Sequence, residues 1–502
     1  MTVTALEVER KYDVSAYLLV PELADLPGVA SVPPPVEHLL EAVYFDTADL
    51  RLREAGVTLR RRTGGQDAGW HLKTPKGPDR QEVRLESAQP PAEVPAELLS
   101  RVRSVIRRSG VRPVATVTTR RTVHRLLDDQ GRLLVEVADD QVTGAPVRGE
   151  TVTWREWEAE LGAGDAALLD AVHARLLSAG ATASGSSSKV GRVLGSGGSR
   201  PWWGPTTLTV GSSAAAVAVA HLREQVDELV RRDPQVRQDT EDAVHKMRVA
   251  TRRLRSALQT FGPFLDRSVT DPLRDELRWL AGVLGDARDA EVMHARLRGL
   301  VESEPDVVGP VLARIDAVMT ERYRTAHDRS VRTLDGQRYL RLLDRLHALV
   351  ADPPVTQAAY GRATELLPAV VRRAWKRLDR ELDLAVAQPA GGERDLMLHE
   401  ARKDAKRARY VTEAVAAIFG EDARRTAKAA AQLQEALGEH QDGVVTREAL
   451  RELADIAHRA GEPTFTYGRL HALEQVFADG PDATWPAARE AAARDGGRAW
   501  FS

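Results

Sequence analysis

Up to about residue 160 the chain alternates apolar and polar residues in short segments separated by Gly, Pro and Asp. The segments 5–12, 41–45, 57–62, 70–74, 80–86, 114–127, 133–137 and 151–161 carry this pattern. Alternation over such lengths, with turn residues between, predicts half-buried antiparallel strands. Two stretches at helical spacing, 95–109 and 165–179, interrupt them. A set of about eight strands predicts an eight-stranded antiparallel β-barrel with attached helices. Beyond residue 213 the alternation stops. Apolar residues then recur every three or four positions in Ala/Leu/Arg/Glu-rich runs, broken at Pro234, Gly262-Pro263, Gly309-Pro310, Pro353-Pro354, Gly391-Gly392 and Gly461. That pattern predicts an all-α region built of bundles, so the chain as a whole is α+β and multidomain.

Between these halves, from Ala183 to Ser213, the composition turns to Ser and Gly. Most of this stretch reads as a linker, because it has too few apolar residues to offset its ordering entropy. Trp202 and Trp203 within it are expected to dock the linker onto a domain surface. The resulting division is 1–195, a linker at 196–212, and 213–502.

Composition narrows the function classes. The chain has 502 residues with 71 Lys plus Arg against 73 Asp plus Glu, a formal net charge of −2 that excludes a uniformly basic nucleic-acid coat. Cysteine is absent, which removes disulfides, thiolate metal sites and cysteine nucleophiles and points to a cytoplasmic home. The opening MTVTALEVERKYDV is too polar for a signal peptide, and the apolar run at 214–220 is far shorter than the roughly 20 residues of a spanning helix.

The helical half repeats itself. HKMRVATRRLRSAL from His245 matches HEARKDAKRARYVTEA from His399, 154 residues later. Arg223 matches Arg377 at the same spacing, and Asp289 matches Asp442 at 153. Two copies of one helical unit, about 213–350 and 355–502, account for the register. The series His245, Arg248, Arg252, Arg255 and the series His399, Arg402, Lys406, Arg409 each fall within an arc of roughly 80° on a helix. Like charges on one face repel, so such rails make sense when an external polyanion fills them. A solvated face with salt bridges is the plainer alternative. Metal ligation by the two histidines lacks a second ligand at i+4, where Val249 and Lys403 stand. His440 faces Ala287 in the other copy and is less firmly placed.

In the first half, Glu7-x-Glu9-x-Lys11 puts three charges on one face of a strand, and Glu156, Glu158 and Glu160 do the same on another. Arg60 and Arg62, His71 and Lys73, and Arg80, Glu82 and Arg84 follow the same spacing. If these faces line a barrel interior, that interior must be wet and completed by a charged ligand with metal ions, since isolated buried charges cost several kcal/mol each. Glu pairs supply hard oxygens for Mg²⁺ or Mn²⁺, and Arg and Lys clamp phosphate. Leu59, Trp70, Leu72 and Trp157 lie on the opposite parity and need a helical cover.

These residues give the chain a family likeness. Glu7-x-Glu9-x-Lys11, YFDTADLRLREAGVTLRRR, GWHLKTP, RQEVRLE, TRRTVHRL, EVADDQV and WREWEAEL resemble the CYTH domain of the triphosphate tunnel metalloenzymes, and the repeated segments resemble the CHAD domain. The resemblance implies an eight-stranded tunnel that hydrolyses triphosphate with Mg²⁺ or Mn²⁺, followed by two four-helix bundles that bind inorganic polyphosphate. By position, Glu7, Glu9, Glu158 and Glu160 would hold metal, with an acid of EVADDQV taken as Asp139 rather than Asp140. Glu7, Glu9 and Lys11 would serve catalysis. Lys11, Arg60, Arg62, Lys73, Arg84, Arg121 and Lys189 would grip triphosphate, Arg121 standing next to Arg120 where the family often has Lys-x-Arg. The polyphosphate set would be Arg223, His245, Arg248, Arg252, Arg255, Arg377, His399, Arg402, Lys403, Lys406 and Arg409. Inorganic triphosphate and long-chain polyphosphate are thus the expected partners, with no membrane and no specific nucleic acid. Alternatives are a tunnel enzyme for nucleoside or thiamine triphosphate, cyclase chemistry on ATP, and a non-catalytic protein that targets polyphosphate granules.

Overall fold

The computed structural model describes the whole chain except residues 1, 66, 77–78, 88–92, 187, 196–206, 390, 480–483, 495–496 and 502. It divides into two compact units, Met1–Pro205 and Thr206–Ser502. The linker tryptophans at 202 and 203 lie outside the described residues.

The first unit is a curled antiparallel sheet of ten strands: β1 (Thr2–Glu7), β2 (Glu9–Asp13), β3 (Val36–Asp46), β4 (Thr58–Thr63), β5 (Gly69–Lys76), β6 (Asp79–Glu86), β7 (Arg112–Leu127), β8 (Leu133–Pro146), β9 (Val152–Leu161) and β10 (Thr182–Ala183). The order is β1-β6-β5-β4-β3-β7-β8-β9-β2-β10. The count exceeds the eight expected for two reasons. The first run divides at Val8, β1 pairing with β6 and β2 with β9, and β10 adds a two-residue strand beside β2. The chain's first strands therefore join the two ends of the order.

Side-chain parity separates the faces. Leu59, Trp70, Leu72 and Val83 pack under α1 (Arg51–Glu54), α2 (Ala96–Arg101) and α3 (Arg103–Ile106), with Leu52, Leu98, Val102 and Ile106 as the helical side of that core. Tyr12, Val135, Val137 and Trp157 pack against Leu168, Leu169, Val172 and Leu176 of α4 (Ala166–Ser178). Asp165 caps α4 by accepting from the Leu168 amide. The apolar parity is thus covered from outside, and the charged parity faces in. The short α5 (Lys189–Val193) arises inside the Ser/Gly-rich stretch because Ser188 caps it through the Gly191 amide, and Val190 and Val193 bury against Tyr44, Val117 and Val142. This helix lies before the expected linker at 196–212.

The second unit contains α6 (Ala214–Arg237), α7 (Ala243–Thr260), α8 (Arg267–Glu302), α9 (Val311–Asp335), α10 (Gln337–Ala351), α11 (Ala363–Val386), α12 (Gly392–Arg459), α13 (Phe465–Asp479) and α14 (Trp485–Arg494). Neighbours in sequence pack as neighbours in space: α6 on α7, α7 on α8, α8 on α9, α11 on α12, and α12 on α13 and α14. Gly420 divides α12 with a φ of +58°, a left-handed value open to glycine. Leu297, Ile315, Met319, Leu450, Leu453 and Tyr467 form a core shared by α8, α9, α12 and α13. Among the described residues no helix is long and apolar enough to cross a membrane.

Candidate functional sites

The inward parity of the sheet lines a cavity of about 330 Å³. Glu7, Glu9, Lys11, Arg60, Arg62, Lys73, Arg84, Arg121, Glu158, Glu160 and Lys189 all border it, so the structure brings this expected set together. Register explains the grouping: Glu9 lies opposite Glu160, Lys11 opposite Glu158, and Arg121 opposite Asp140.

Most of these charges are already paired. Lys11 bonds to Glu9 at 3.0 Å and also to Glu158; Lys73 pairs with Glu7; Arg121 pairs with Asp140 at 2.6 Å and with Glu158. The pairing sets the protonation states. Burial alone would push Lys11 down and Glu158 up. The Glu158 and Glu9 carboxylates reverse the first, and Lys11, Lys189 and Arg121 reverse the second, so both stay charged. Burial is the largest influence on Glu9 and opposes its ionisation, but the charge and hydrogen bond of Lys11 together with Lys73 leave it lowered.

On the other wall, fully buried Glu82 accepts from Arg84, lies 3.8 Å from Lys73 and 4.0 Å from Arg60, and meets His71 Nδ1 at 3.0 Å. The Glu82 carboxyl is held far below its usual range, burial being outweighed by the His71 bond, Lys73 and Arg60. Burial pushes His71 down to about 4, so it is neutral at ordinary pH. Arg62 is pushed down to about 9 by burial and then by Arg60 and Arg121, a cation short of counter-charge although it pairs with Asp67.

Asp139 is corrected. Its two oxygens take Arg155 at 2.8 and 2.6 Å, on the parity that faces away from the cavity. Asp140, on the inward parity of β8, is the fully buried acid. Two consecutive aspartates in a strand point to opposite faces, and the strand's continuation to Pro146 decides which one enters. Asp140, Glu156 and Glu158 offer oxygens within 4.8 Å of one another, a set that could bind a metal. Lys189 Nζ lies 2.8, 2.7 and 2.7 Å from these three acids, so they already surround a cation.

Two other carboxylates are less fully matched: Glu7 meets Lys73 through Oε1 alone, and Glu160 is the second. Glu7 Oε2 is buried with no hydrogen-bond partner. Glu160 has neither ion pair nor hydrogen bond among the described residues, and burial followed by Glu7 pushes it up to about 7. Hard oxygens gathered without sufficient positive charge fit a divalent Mg²⁺ or Mn²⁺ ion. Sequence reasoning passed over Tyr44, whose hydroxyl accepts from Arg60 at 3.3 Å, and Arg125 and Glu136, which also line the cavity 3.7 Å apart. Arg125 continues the period-two series of Arg121 and was there to be found.

In the helical unit the two cation rails meet, because α7 packs on α12. Arg248, Arg252, Arg402 and Lys406 act on one another electrostatically, with Asp289 and Asp442 as nearby acids. Lys406 is pushed down to about 6, first by burial and then by Arg252, Arg402 and Arg248. Burial followed by Arg252, Arg278, Arg407 and Arg274 lowers Arg255, so further arginines of α8 and α12 extend the cluster. His245 and His399 are both lowered, mainly by burial, and His399 Nδ1 meets Gln441 at 3.0 Å.

Other members of the expected set are engaged elsewhere. Arg223 donates to the Val350 carbonyl at 3.2 and 3.1 Å, Arg377 pairs with Asp404 at 2.9 Å, Lys403 with Glu400 at 2.7 Å, and Arg409 with Glu413 at 2.7 Å. His440 bonds to Asp395 at 2.7 Å.

Comparison with known proteins places both halves. The CYTH domain model matches residues 5–192 and the CHAD domain model residues 220–451. The uncharacterized protein Rv2226 of Mycobacterium tuberculosis is 41% identical over 496 residues, 94% of each chain. The crystal structure of the CHAD domain from the plant Ricinus communis covers 57% of this chain and 94% of its own, with 26% identity and a TM-score of 0.47. PptA from Streptomyces chartreusis covers 56% of this chain and 99% of its own, with 22% identity and a TM-score of 0.48.

Proposed function

We propose that this chain, a member of the family that joins a CYTH domain to a CHAD domain, hydrolyses inorganic triphosphate with a divalent metal inside its sheet and binds long-chain polyphosphate along its helices. The observation that carries the first part is the asymmetry of the cavity. Glu160 has no ion pair among the described residues and Glu7 is met by Lys73 through one oxygen alone, while Arg60, Arg62 and Arg84 crowd the wall around Glu82.

Glu7, Glu9 and Glu160, with Glu158 beside them, would hold Mg²⁺ or Mn²⁺. When bound, the ion supplies Lewis-acid polarisation of a phosphoryl oxygen. Arg60, Arg62, Lys73 and Arg84 bind the phosphate chain and stabilise negative charge as it gathers on the leaving pyrophosphate. Glu82 and His71 fix those cations in place. Lys11, Arg121 and Lys189 keep Glu158 ionised. No phosphoenzyme is required. Tyr44 is the one benzenoid ring among the described lining residues, and it is engaged by Arg60, which favours an inorganic substrate over a nucleotide.

We read the helical unit as two copies of a four-helix bundle whose rails share one polyanion, a role that would also draw the protein to polyphosphate granules in the cytoplasm. The four mutually repelling cations support this reading, because a polyphosphate chain relieves that repulsion. Glu9→Gln tests the enzyme assignment. Hydrolysis of triphosphate should fall about 10²-fold or more in the presence of Mg²⁺ or Mn²⁺. An undiminished rate with an unchanged metal requirement rejects it.

A further inference from the structure

Opposite the rails, the helices that face them carry a second repeated set. Gly285 on α8 and Gly438 on α12 lie 153 residues apart, the spacing that also relates Asp289 to Asp442. Both glycines are buried, and neither has a left-handed φ, so the backbone does not require glycine at either place. Glycine inside a helix is unfavourable relative to alanine. What it leaves is space. A Cβ at Gly285 would stand 3.5 Å from Arg248 Nη2, and one at Gly438 would stand 3.2 Å from Arg402 Nη2. Each arginine is also tied at one end, Arg248 Nη1 to Asp289 at 2.9 Å and Arg402 Nη1 to Asp442 at 3.5 Å. In both, Nε is buried and has no hydrogen-bond partner. The same bare helix surface, the same tether and the same unpartnered Nε occur once per copy.

We propose that Gly285 and Gly438 are positioning residues of a two-copy polyanion site: each lets an arginine lie against the opposite helix, beside Arg252 and Lys406, with its side chain about a quarter exposed. The inference rests on the polyphosphate reading of the helical half. It adds that the ligand must be a linear anion long enough to reach both arginines, so a single orthophosphate is a poor substitute. A bulky side chain at either glycine displaces its arginine without touching any charge.

The full chain is titrated with long-chain polyphosphate at about 50 and 200 mM salt. Gly285→Leu and Gly438→Leu should each weaken binding about tenfold and lower the salt slope by about one, the signature of one lost phosphate contact. Gly282→Leu, at an exposed position on α8 with nothing within 4 Å of its added Cβ, should bind as the natural chain does. Gly438→Ala guards against a leucine variant that fails to fold. Alanine should raise the melting temperature, because it favours helix, while lowering affinity about two- to threefold. A glycine with a merely structural role moves stability alone. Natural affinity in folded Gly438→Leu or Gly438→Ala overturns the inference. If the natural chain binds, Arg252→Glu with Lys406→Glu abolishes binding and the glycine variants do not weaken it, the positioning role alone falls. If the natural chain does not bind polyphosphate, the reading beneath it falls as well.

Discussion

Two buried lysines show how differently the halves of this molecule handle charge. Lys189 stands among Asp140, Glu156 and Glu158, and despite burial its ammonium is held well above the usual lysine range by Asp140, then Glu158 and Glu156. Lys406 stands among Arg252, Arg402 and Arg248, and after burial those neighbours push it down to about 6. The sheet is an internally neutralised site, with acid and base interleaved so that most groups remain ionised without a ligand. The helical groove is the reverse. Its counter-charge has to come from outside, and until it does the groove sheds a proton to reduce its own repulsion. Under the proposed function the contrast has a reason: catalysis needs its charges held ready, whereas a surface for a polyanion can keep them in excess.

The sharpest way to break this contrast is charge reversal in the groove. Arg252→Glu with Lys406→Glu should lower affinity for long-chain polyphosphate by about 10²-fold or more, while triphosphate hydrolysis stays within about twofold. Binding isotherms and phosphate release on the same preparation decide it. A loss of both, or of neither, removes the division of labour.

Next in size is the paired interior. Asp140→Asn leaves Lys189 and Arg121 short of a buried partner and should cost about 3–5 kcal/mol of stability in the sheet. Asp139→Asn, whose arginine sits at the outer face, should cost about 1 kcal/mol or less. Denaturant midpoints of the two variants test the ranking, and equal losses would count against it.

The smallest effect is the proton. Lys406 keeps its proton up to about 10.5 when unfolded and releases it near 6 when folded. Between those values the unfolded chain binds more protons, so this residue makes stability rise with pH. Lys406→Met should therefore be more stable than the natural chain at pH 6, with the gap closing towards pH 10. Because the neutral amine must regain a proton to meet phosphate, polyphosphate affinity should rise several-fold as pH falls from about 9 to 6, and less so in Lys406→Met. Thermal melts and isotherms across that range measure both slopes.

Local pattern carried much of this into the sequence. Period-two spacing placed Arg60, Arg62, Lys73 and Glu158 on one face, because a pleated strand leaves no other choice. The rails were visible because a helix repeats near 100° per residue. What local pattern could not settle was any step that depends on a partner distant in sequence. Asp139 and Asp140 differ only in which face β8 turns inward, and that is set by pairing with β7 and β9. The lowering of Lys406 comes first from burial and then from Arg252 and Arg248 on α7 as well as Arg402 on its own helix, and neither the burial nor the α7 neighbours show in local pattern. Arg223 and Arg377 share the repeat spacing with the rails, yet the Val350 carbonyl and Asp404 engage them. The ten-strand count turns on the interruption at Val8, which alternation alone does not reveal.

That interruption has a consequence for how the charged cavity comes into being. Strands β1 and β2 bond to β6 and β9, which follow them in the chain, so Glu9 must wait for Glu160 to be made. Contacts that span so much chain form late and slowly. Glu7, Glu9 and Lys11 ride on this last-fitted segment. Closure of the sheet and completion of the acidic wall are therefore a single event, and a partly folded chain presents no half-built acidic wall.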